Sequence, residues 1–271
     1  MSSYPVDPAK GVRSGLKYIY YPASWDLAKY TFASTFVDGK GYVLDVGCSD
    51  GYGSSILSNA GARKVTGGDI EPKAIEYAKN HYDHEGLDFI CLDATVLPFP
   101  SDSVDVIVAL EIIEHLPEEE QRRFLPECRR VLKDGGLIIC STPNKQVYTP
   151  TNIDRLLNLN PSHIKEFYIA EFHDLLNEYF ADVTLFGQWF MNSNETIAHK
   201  TFLTACLILE KFVSLLSKET RIGSFIYRVI ISVVISDKQF KVSPLADNPS
   251  RQPLDIIAAA RAVKKEVKPG V

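Results

Sequence analysis

The chain has 271 residues, 45% of them hydrophobic and 23% charged, and a formal net charge of −5. These proportions are ordinary for a globular protein, with length for one large domain or for one domain carrying an insertion. The acidic balance speaks against non-specific binding to nucleic acid, and five scattered cysteines, an odd number, speak against a disulfide framework.

The first residues, MSSYPVDPAKGVRSG, are polar and hold no apolar run of signal-peptide length, so the expected location is the cytoplasm. YIYYPASWDLAKYTFASTF (18–36) reads as a helix, the main part of an N-terminal cap over residues 1–38. From Tyr42 to Thr142, short β-rich runs alternate with amphipathic stretches. GYVLDVG, KVTGGDI, LDFICLD, VDVIVAL and GLIICST read as buried strands. SSILSNAGA, EPKAIEYAKNHY and RRFLPECRRVLKDGG read as helices, the last stopped by its glycines. The cysteines in apolar runs, Cys91, Cys140 and Cys206, are expected to be buried, reduced thiols.

After a loop rich in Asn, Pro and Tyr (142–152), AEFHDLLNEYF reads as a helix and ADVTLFGQWF as a strand. LDIIAAARAV (254–263) is the last strand. Seven strands alternating with helices predict a doubly wound α/β sheet, mostly parallel, with helices on both faces. In such sheets the ligand lies at the carboxyl ends of the strands, where strand order reverses. The core is expected over 39–190, a helical insertion over 191–252, and the last core strand and tail over 253–271. Within the insertion, FLTACLILEKFVSLL (202–216) and FIYRVIISVVI (225–235) are too short to span a membrane and carry Glu210, Lys211 and Arg228. A lid or a homodimer surface is expected there; peripheral membrane contact is the less favoured alternative.

The first strand ends in LDVGCSDGYGS (44–54). Its glycines, Gly47, Gly51 and Gly53, are spaced G-x-x-x-G-x-G, a poor match to the dinucleotide pattern G-x-G-x-x-G. Glycine lets the backbone pass close to a ligand that a β-carbon at Gly47 or Gly51 would obstruct. The next two strands end in Asp69 and Asp93. An acid about 20 residues beyond the loop, as Asp69 is, can accept hydrogen bonds from both ribose hydroxyls. The fourth strand runs into EIIEH (111–115). If a helical turn begins there, Glu111, Glu114 and His115 share one face and offer three ligands to a divalent cation. His163, on the loop after the fifth strand, ends at the same rim and is a candidate fourth ligand. The glutamates also suit a plain helix start, where they favour the helix dipole.

Over residues 40 to 190 these motifs resemble the class I S-adenosylmethionine-dependent methyltransferases, whose first motif commonly reads D-x-G-x-G-x-G. Here Asp45 stands at its start, and Ser49 replaces the middle glycine. The resemblance implies a Rossmann-like core, with the N-terminal cap lying over the cofactor cleft. The tyrosines of the cap and Trp25 would either stack on an acceptor or pack in the core. It implies cofactor contacts from Asp45, Gly47, Cys48, Ser49, Gly51, Asp69, Ile70, Asp93, Ala94 and Leu110, with S-adenosylhomocysteine as product. E-x-x-E-H with a later histidine is similar to two metal-dependent O-methyltransferase groups, the ubiquinone-biosynthesis type and the type acting on the terminal 2′-hydroxyl of small RNAs. That resemblance implies Glu111, Glu114, His115 and His163 as ligands to Mg²⁺ or a similar ion, with His115 relaying a proton. TPNK followed by NPSHIKEF looks like a branch found with glycan and secondary-metabolite genes. It implies a sugar or another small molecule with adjacent hydroxyls as acceptor. The alternatives are a metal-independent N- or O-methyltransferase, an RNA 2′-O-methyltransferase, which the acidic balance disfavours, and a cofactor-binding protein without catalysis.

Overall fold

Val43 and Leu44 set the layering of the molecule. Successive side chains of a strand point to opposite faces, and both of these are fully buried. Val43 belongs to an apolar layer with Tyr30, Leu57, Ile75, Val106 and Ile257. Leu44 belongs to another, with Ile107, Phe124, Leu125, Phe172 and Leu176. A strand covered on both faces reads as a continuous apolar run, which is why VDVIVAL shows no polar alternation. Removing one of the largest of these side chains, such as Phe124, would cost about 3–5 kcal/mol.

The computed structural model describes residues 23–37, 39, 41–148, 163–191, 242–247, 250 and 252–263. In chain order the elements are α1 (Ala23–Ser34), β1 (Tyr42–Val46), α2 (Tyr52–Asn59), β2 (Lys64–Asp69), α3 (Pro72–His81), β3 (Leu87–Cys91) and β4 (Val104–Leu110). A 3₁₀ turn (Ile113–His115) precedes α4 (Glu118–Val131), β5 (Leu132–Pro143), α5 (Lys145–Tyr148), α6 (Ile169–Asn177) and β6 (Ala181–Met191). Then come β7 (Val242–Pro244), a second 3₁₀ turn (Leu245–Asp247) and β8 (Gln252–Arg261). The strand order is β3-β2-β1-β4-β5-β8-β6-β7. The first five strands are parallel, and β8, β6 and β7 join antiparallel. Strand order reverses at β1, which pairs with β2 on one side and β4 on the other. The carboxyl ends of β1 and β4 are therefore where this fold places a ligand.

The doubly wound α/β fold matches expectation, with eight strands in place of seven. The extra strand, β7, lies inside the segment expected to be helical. It has three residues on the sheet edge and closes with Pro244, too short for an alternating pattern and at a position where proline is tolerated. A second difference concerns LKDGG, expected as the end of a helix. Helix α4 starts earlier, with Glu118, Glu119 and Glu120 favourably placed in its first turn, and ends at Val131. Leu132 is already extended, and the pairing slips between Val104↔Leu132 and Val106↔Leu137. The intervening residues form a bulge, with Gly135 at φ +73° donating to the Ala262 carbonyl at 2.7 Å.

Cys91, expected to be buried, is exposed, because it ends β3 on the outermost parallel strand; Cys48, Cys128 and Cys140 are buried. The apolar stretches 202–216 and 225–235, Cys206, Tyr18, Tyr20, Tyr21 and the Trp25 side chain lie outside the described residues. No helix among the described residues is long and apolar enough to cross a membrane.

Candidate functional site

The glycine loop leaves β1 at Val46 and folds back onto β2. The amides of Gly47 and Cys48 both donate to the Gly68 carbonyl, at 2.7 and 3.1 Å. Gly47 (φ +76°) and Gly51 (φ +87°) take left-handed conformations that a side chain disfavours. The obstruction a β-carbon would meet comes from the protein itself. At Gly47 it would approach Ile112 Cδ1 to 2.9 Å, and at Gly51 it would approach Phe89 and Ala78 to 2.7 Å. Ser49, where the motif more often has glycine, keeps that backbone conformation (φ +50°). Its amide donates to Asp69 Oδ2 at 2.9 Å, which holds the serine there.

Asp69 also accepts from the Glu71 amide, at 2.9 Å to Oδ1. A carboxylate offers about four lone-pair sites, so acceptor capacity remains for ribose hydroxyls. Ile70, 70% exposed, leaves an apolar side chain uncovered beside Asp69, suited to one face of a flat ring. Asp93 accepts the amide and hydroxyl of Thr95, both at 2.8 Å, and these bonds hold its carboxyl below the ordinary value. Ala94, just beyond β3, and Leu110, at the end of β4, are buried, and Cys48 is buried within the loop, where burial raises its thiol pKa. The carboxyl ends of β1, β2, β3 and β4 thus carry every expected cofactor contact. Asp45 is different in kind. It is fully buried and accepts from Ser54 at 2.6 Å and from Tyr30 at 3.2 Å. Burial pushes its carboxyl up to about 7 against those two bonds.

EIIEH forms the turn after β4. Gln121 of α4 fastens that turn by donating to the carbonyls of Ile113 and Leu116 at 3.1 and 2.9 Å. The loop carrying His163 docks on it, with the amides of Ile164 and Lys165 donating to the Glu114 carbonyl at 2.8 and 3.1 Å. Glu114, His115 and His163 come together as a result, each offering a ligand atom within 4.8 Å of the others. The two rings meet edge to face, 5.1 Å between centroids, and His163 Nδ1 lies 3.1 Å from Glu166. Glu114 is fully buried, and neither carboxylate oxygen has a hydrogen-bond partner of good geometry. Burial first, and the Glu111 charge second, push its carboxyl well above the ordinary value against the opposing effects of its own backbone, Lys29 and Thr142.

Glu111, the fourth expected ligand, is turned elsewhere. Its Oε1 lies 2.9 Å from Lys29 Nζ and accepts from Ser141 Oγ at 2.6 Å. Lys29, 2% exposed, also reaches Asp255 at 2.9 Å and Asp26 at 3.7 Å. Burial opposes the charge on Lys29, but Asp255, Glu111 and Asp26 outweigh it and hold the ammonium charged. For Glu111, too, burial would raise the carboxyl, and Lys29 and Ser141 hold it low instead. Sequence reasoning missed Lys29, Ser141 and Asp255, whereas Tyr30, one of the cap tyrosines expected to stack on an acceptor or to pack in the core, is buried in the core. The one available signal was Asp255, an acid inside the apolar run LDIIAAA. A surface groove of about 470 Å³ lies at the opposite, amino ends of β1 to β3, lined in part by Tyr42, Lys64 and Phe89, away from all of these groups.

Residues 44–140 match the family of the methyltransferase domain. A probable S-adenosylmethionine-dependent methyltransferase of Mycolicibacterium smegmatis is 37% identical over 134 residues, 49% of each chain. A ubiquinone biosynthesis O-methyltransferase of Coxiella burnetii is 32% identical over 145 residues, 51% of this chain and 60% of that one. The chain spans about half the length of the curated relatives it matches. Among solved structures, the fold is shared with the YcgJ protein from Bacillus subtilis (TM-score 0.56, 17% identity, 88% of this chain and 99% of that one). It is also shared with an S-adenosylmethionine-dependent methyltransferase from Archaeoglobus fulgidus (TM-score 0.54, 19% identity, 87% and 93%).

Proposed function

We propose that this chain, which carries a class I S-adenosylmethionine-dependent methyltransferase domain, methylates a hydroxyl of a small molecule in the cytoplasm, with help from a divalent cation. The observation that carries the cation is Glu114, a fully buried carboxylate with both oxygens unpartnered and two imidazoles beside it. A buried polar group without a partner costs about 1–3 kcal/mol, and a cation would satisfy it. One carboxylate and two imidazoles suit Mg²⁺, Mn²⁺, Fe²⁺ or Zn²⁺. The likeness to a relative named as an O-methyltransferase supports oxygen as the acceptor atom.

When bound, S-adenosylmethionine supplies an electrophilic methyl group, and a divalent cation lowers the pKa of a hydroxyl beside it. Asp69 would hold the ribose, Ile70 would lie against the adenine, and Asp93 would receive the adenine amino group. With His115 serving as a ligand, its second ring nitrogen would already carry a proton and the hydroxyl proton would pass to solvent; only in a reading without metal would His115 take that proton itself. Adjacent hydroxyls, as on a sugar, would engage the cation as a pair, so the favoured acceptor is a sugar, a glycan or another vicinal diol.

One observation favours a second reading without metal. His115 Nε2 lies 3.8 Å from Glu114 Oε1, near enough for the Glu114 carboxyl to orient the imidazole and leave His115 a plain general base. Methyl transfer from labelled S-adenosylmethionine to a panel of diols, single hydroxyls and amines, with and without EDTA, separates the two. The cation reading expects transfer to diols that EDTA abolishes and Mg²⁺ or Mn²⁺ restores. Transfer indifferent to EDTA would leave the metal-free reading, and no binding of S-adenosylhomocysteine would sink both.

A further inference from the structure

Four residues of the sequence offer themselves to a cation, and the structure gathers three. The difference lies in Lys29. We infer that Lys29 is a positioning residue that keeps Glu111 out of the cation cluster, so that Glu114, His115 and His163 alone hold the ion. This rests on the cation reading proposed above and deepens it.

Glu111 is held at its backbone amide and at one carboxylate oxygen. It sits at φ +55°, a conformation uncommon for a side-chain-bearing residue, at the turn that leaves β4. Its amide donates to Ser141, 3.1 Å to Oγ and 3.3 Å to the carbonyl, while its Oε1 accepts the same hydroxyl at 2.6 Å. That clasp leaves the same oxygen 2.9 Å from the ammonium of Lys29, which α1 supplies. Asp255, opposite Pro143 of β5, holds the other side of the ammonium at 2.9 Å. Lys29 is an anchored charge, not a surface lysine free to swing away. Releasing Glu111 would break a charge-assisted hydrogen bond and leave a buried ammonium short of a partner.

The three-residue cluster does not need Glu111 for its assembly. The Glu114 carbonyl receives the two amides that bring His163 in, and Gln121 holds the turn from the other side. The unpartnered oxygens of Glu114 are the independent sign that this cluster, and not the Glu111 pair, is built for a cation. Three protein ligands leave coordination positions open, and an acceptor with two neighbouring hydroxyls would take two of them. A fourth protein ligand would take one of those places. In this arrangement Lys29 helps define the acceptor class, by setting how many positions the protein leaves unfilled.

Binding of Mn²⁺ to the full chain, followed by the loss of the free-ion signal in electron paramagnetic resonance, tests this. Wild type, Glu111→Gln, His163→Ala and the double variant Lys29→Met/Asp255→Asn would be compared. The double variant removes one positive and one negative charge together, so that Glu111 is released without stranding two carboxylates. Wild type is expected to bind one ion, His163→Ala to bind about 100-fold more weakly, and Glu111→Gln to stay within about threefold of wild type. The double variant is expected to bind about tenfold more tightly, since the freed Glu111 joins the site, whereas mere structural damage would weaken binding. Glu111→Gln failing as His163→Ala does would overturn the inference while the cation reading stood. Unchanged or weaker binding in the double variant would remove Lys29 from the account. A wild type that binds no Mn²⁺ would overturn the cation reading and this inference with it.

Discussion

The ring of Tyr30 packs against Gly53, so that a β-carbon built on the glycine would collide with ring atoms Cζ, Cε1 and Cε2. The same residue donates its hydroxyl to Asp45, and its neighbour Lys29 reaches Glu111 and Asp255. Helix α1 is thus keyed at adjacent positions to the glycine loop after β1 and to the turn after β4. The third glycine of the loop exists to admit this helix.

Gly53→Ala is therefore expected to cost about 1–3 kcal/mol by overpacking against the ring. In a Tyr30→Ala background the same substitution should cost little, since the ring that demands glycine is gone. A double-mutant cycle of denaturant midpoints measures the difference. Equal costs in both backgrounds would mean that something other than Tyr30 requires the glycine.

Asp45 predicts a pH dependence whose sign follows from burial. Its native carboxyl titrates at about 7, against the ordinary 3.8. Below pH 4 both folded and unfolded chains hold the proton, and the group contributes nothing. Between 4 and 7 the unfolded chain releases it and the folded chain does not, so stability falls as pH rises. Above 7 both are ionised, and the accumulated cost of about 4 kcal/mol stays constant. Asp45→Asn should flatten that slope in melting temperatures measured from pH 4 to pH 8. A slope unchanged in the variant would place its origin elsewhere.

What was legible in the sequence divides by range. VDVIVAL announces a strand buried on both faces, and Asp69, Asp93 and Glu111 stand at or just beyond strand ends as read, because both signals are local. The turn at EIIEH was legible for the same reason. The partner of Glu111 was not, since Lys29 comes from a helix at the other end of the core and lysine is almost never fully buried. Gly47 and Gly51 are read from sequence as letting the backbone approach a ligand; the chain's own demand for glycine there and at Gly53, set by Ile112, Phe89 and Tyr30, is not legible in it. Those neighbours arrive from distant segments, and no local pattern names them.

Glu114 should be a residue the chain would be more stable without. Both of its oxygens are buried and unpartnered, so replacing it by the similarly sized, apolar leucine removes the desolvation cost. Glu114→Leu is expected to raise stability by about 1–3 kcal/mol in EDTA while abolishing methyl transfer. A thermal melt paired with an activity assay checks both halves. A destabilised variant would make Glu114 part of the architecture, held by groups that the hydrogen-bond geometry does not reveal.

Asp69 carries the last prediction, because it does two things at once. Its two oxygens accept the amides of Ser49 and Glu71, and so hold the loop at the one position where serine replaces the motif glycine. The carboxylate capacity left over is what would receive the ribose hydroxyls. In Asp69→Asn, one oxygen becomes a donor facing amides that also donate. The variant should lose the charge-assisted bonds, worth about 1.5–3 kcal/mol each, and relax the left-handed turn at Ser49. Isothermal titration with S-adenosylhomocysteine should then show affinity lower by about 10- to 100-fold. Adding Ser49→Gly separates the two roles, since glycine keeps the turn without strain and spares about 1 kcal/mol. Partial recovery of affinity in the double variant would assign the recovered share to loop geometry and the remainder to the ribose. Unchanged affinity in Asp69→Asn alone would show that this acid shapes the loop and never touches the cofactor.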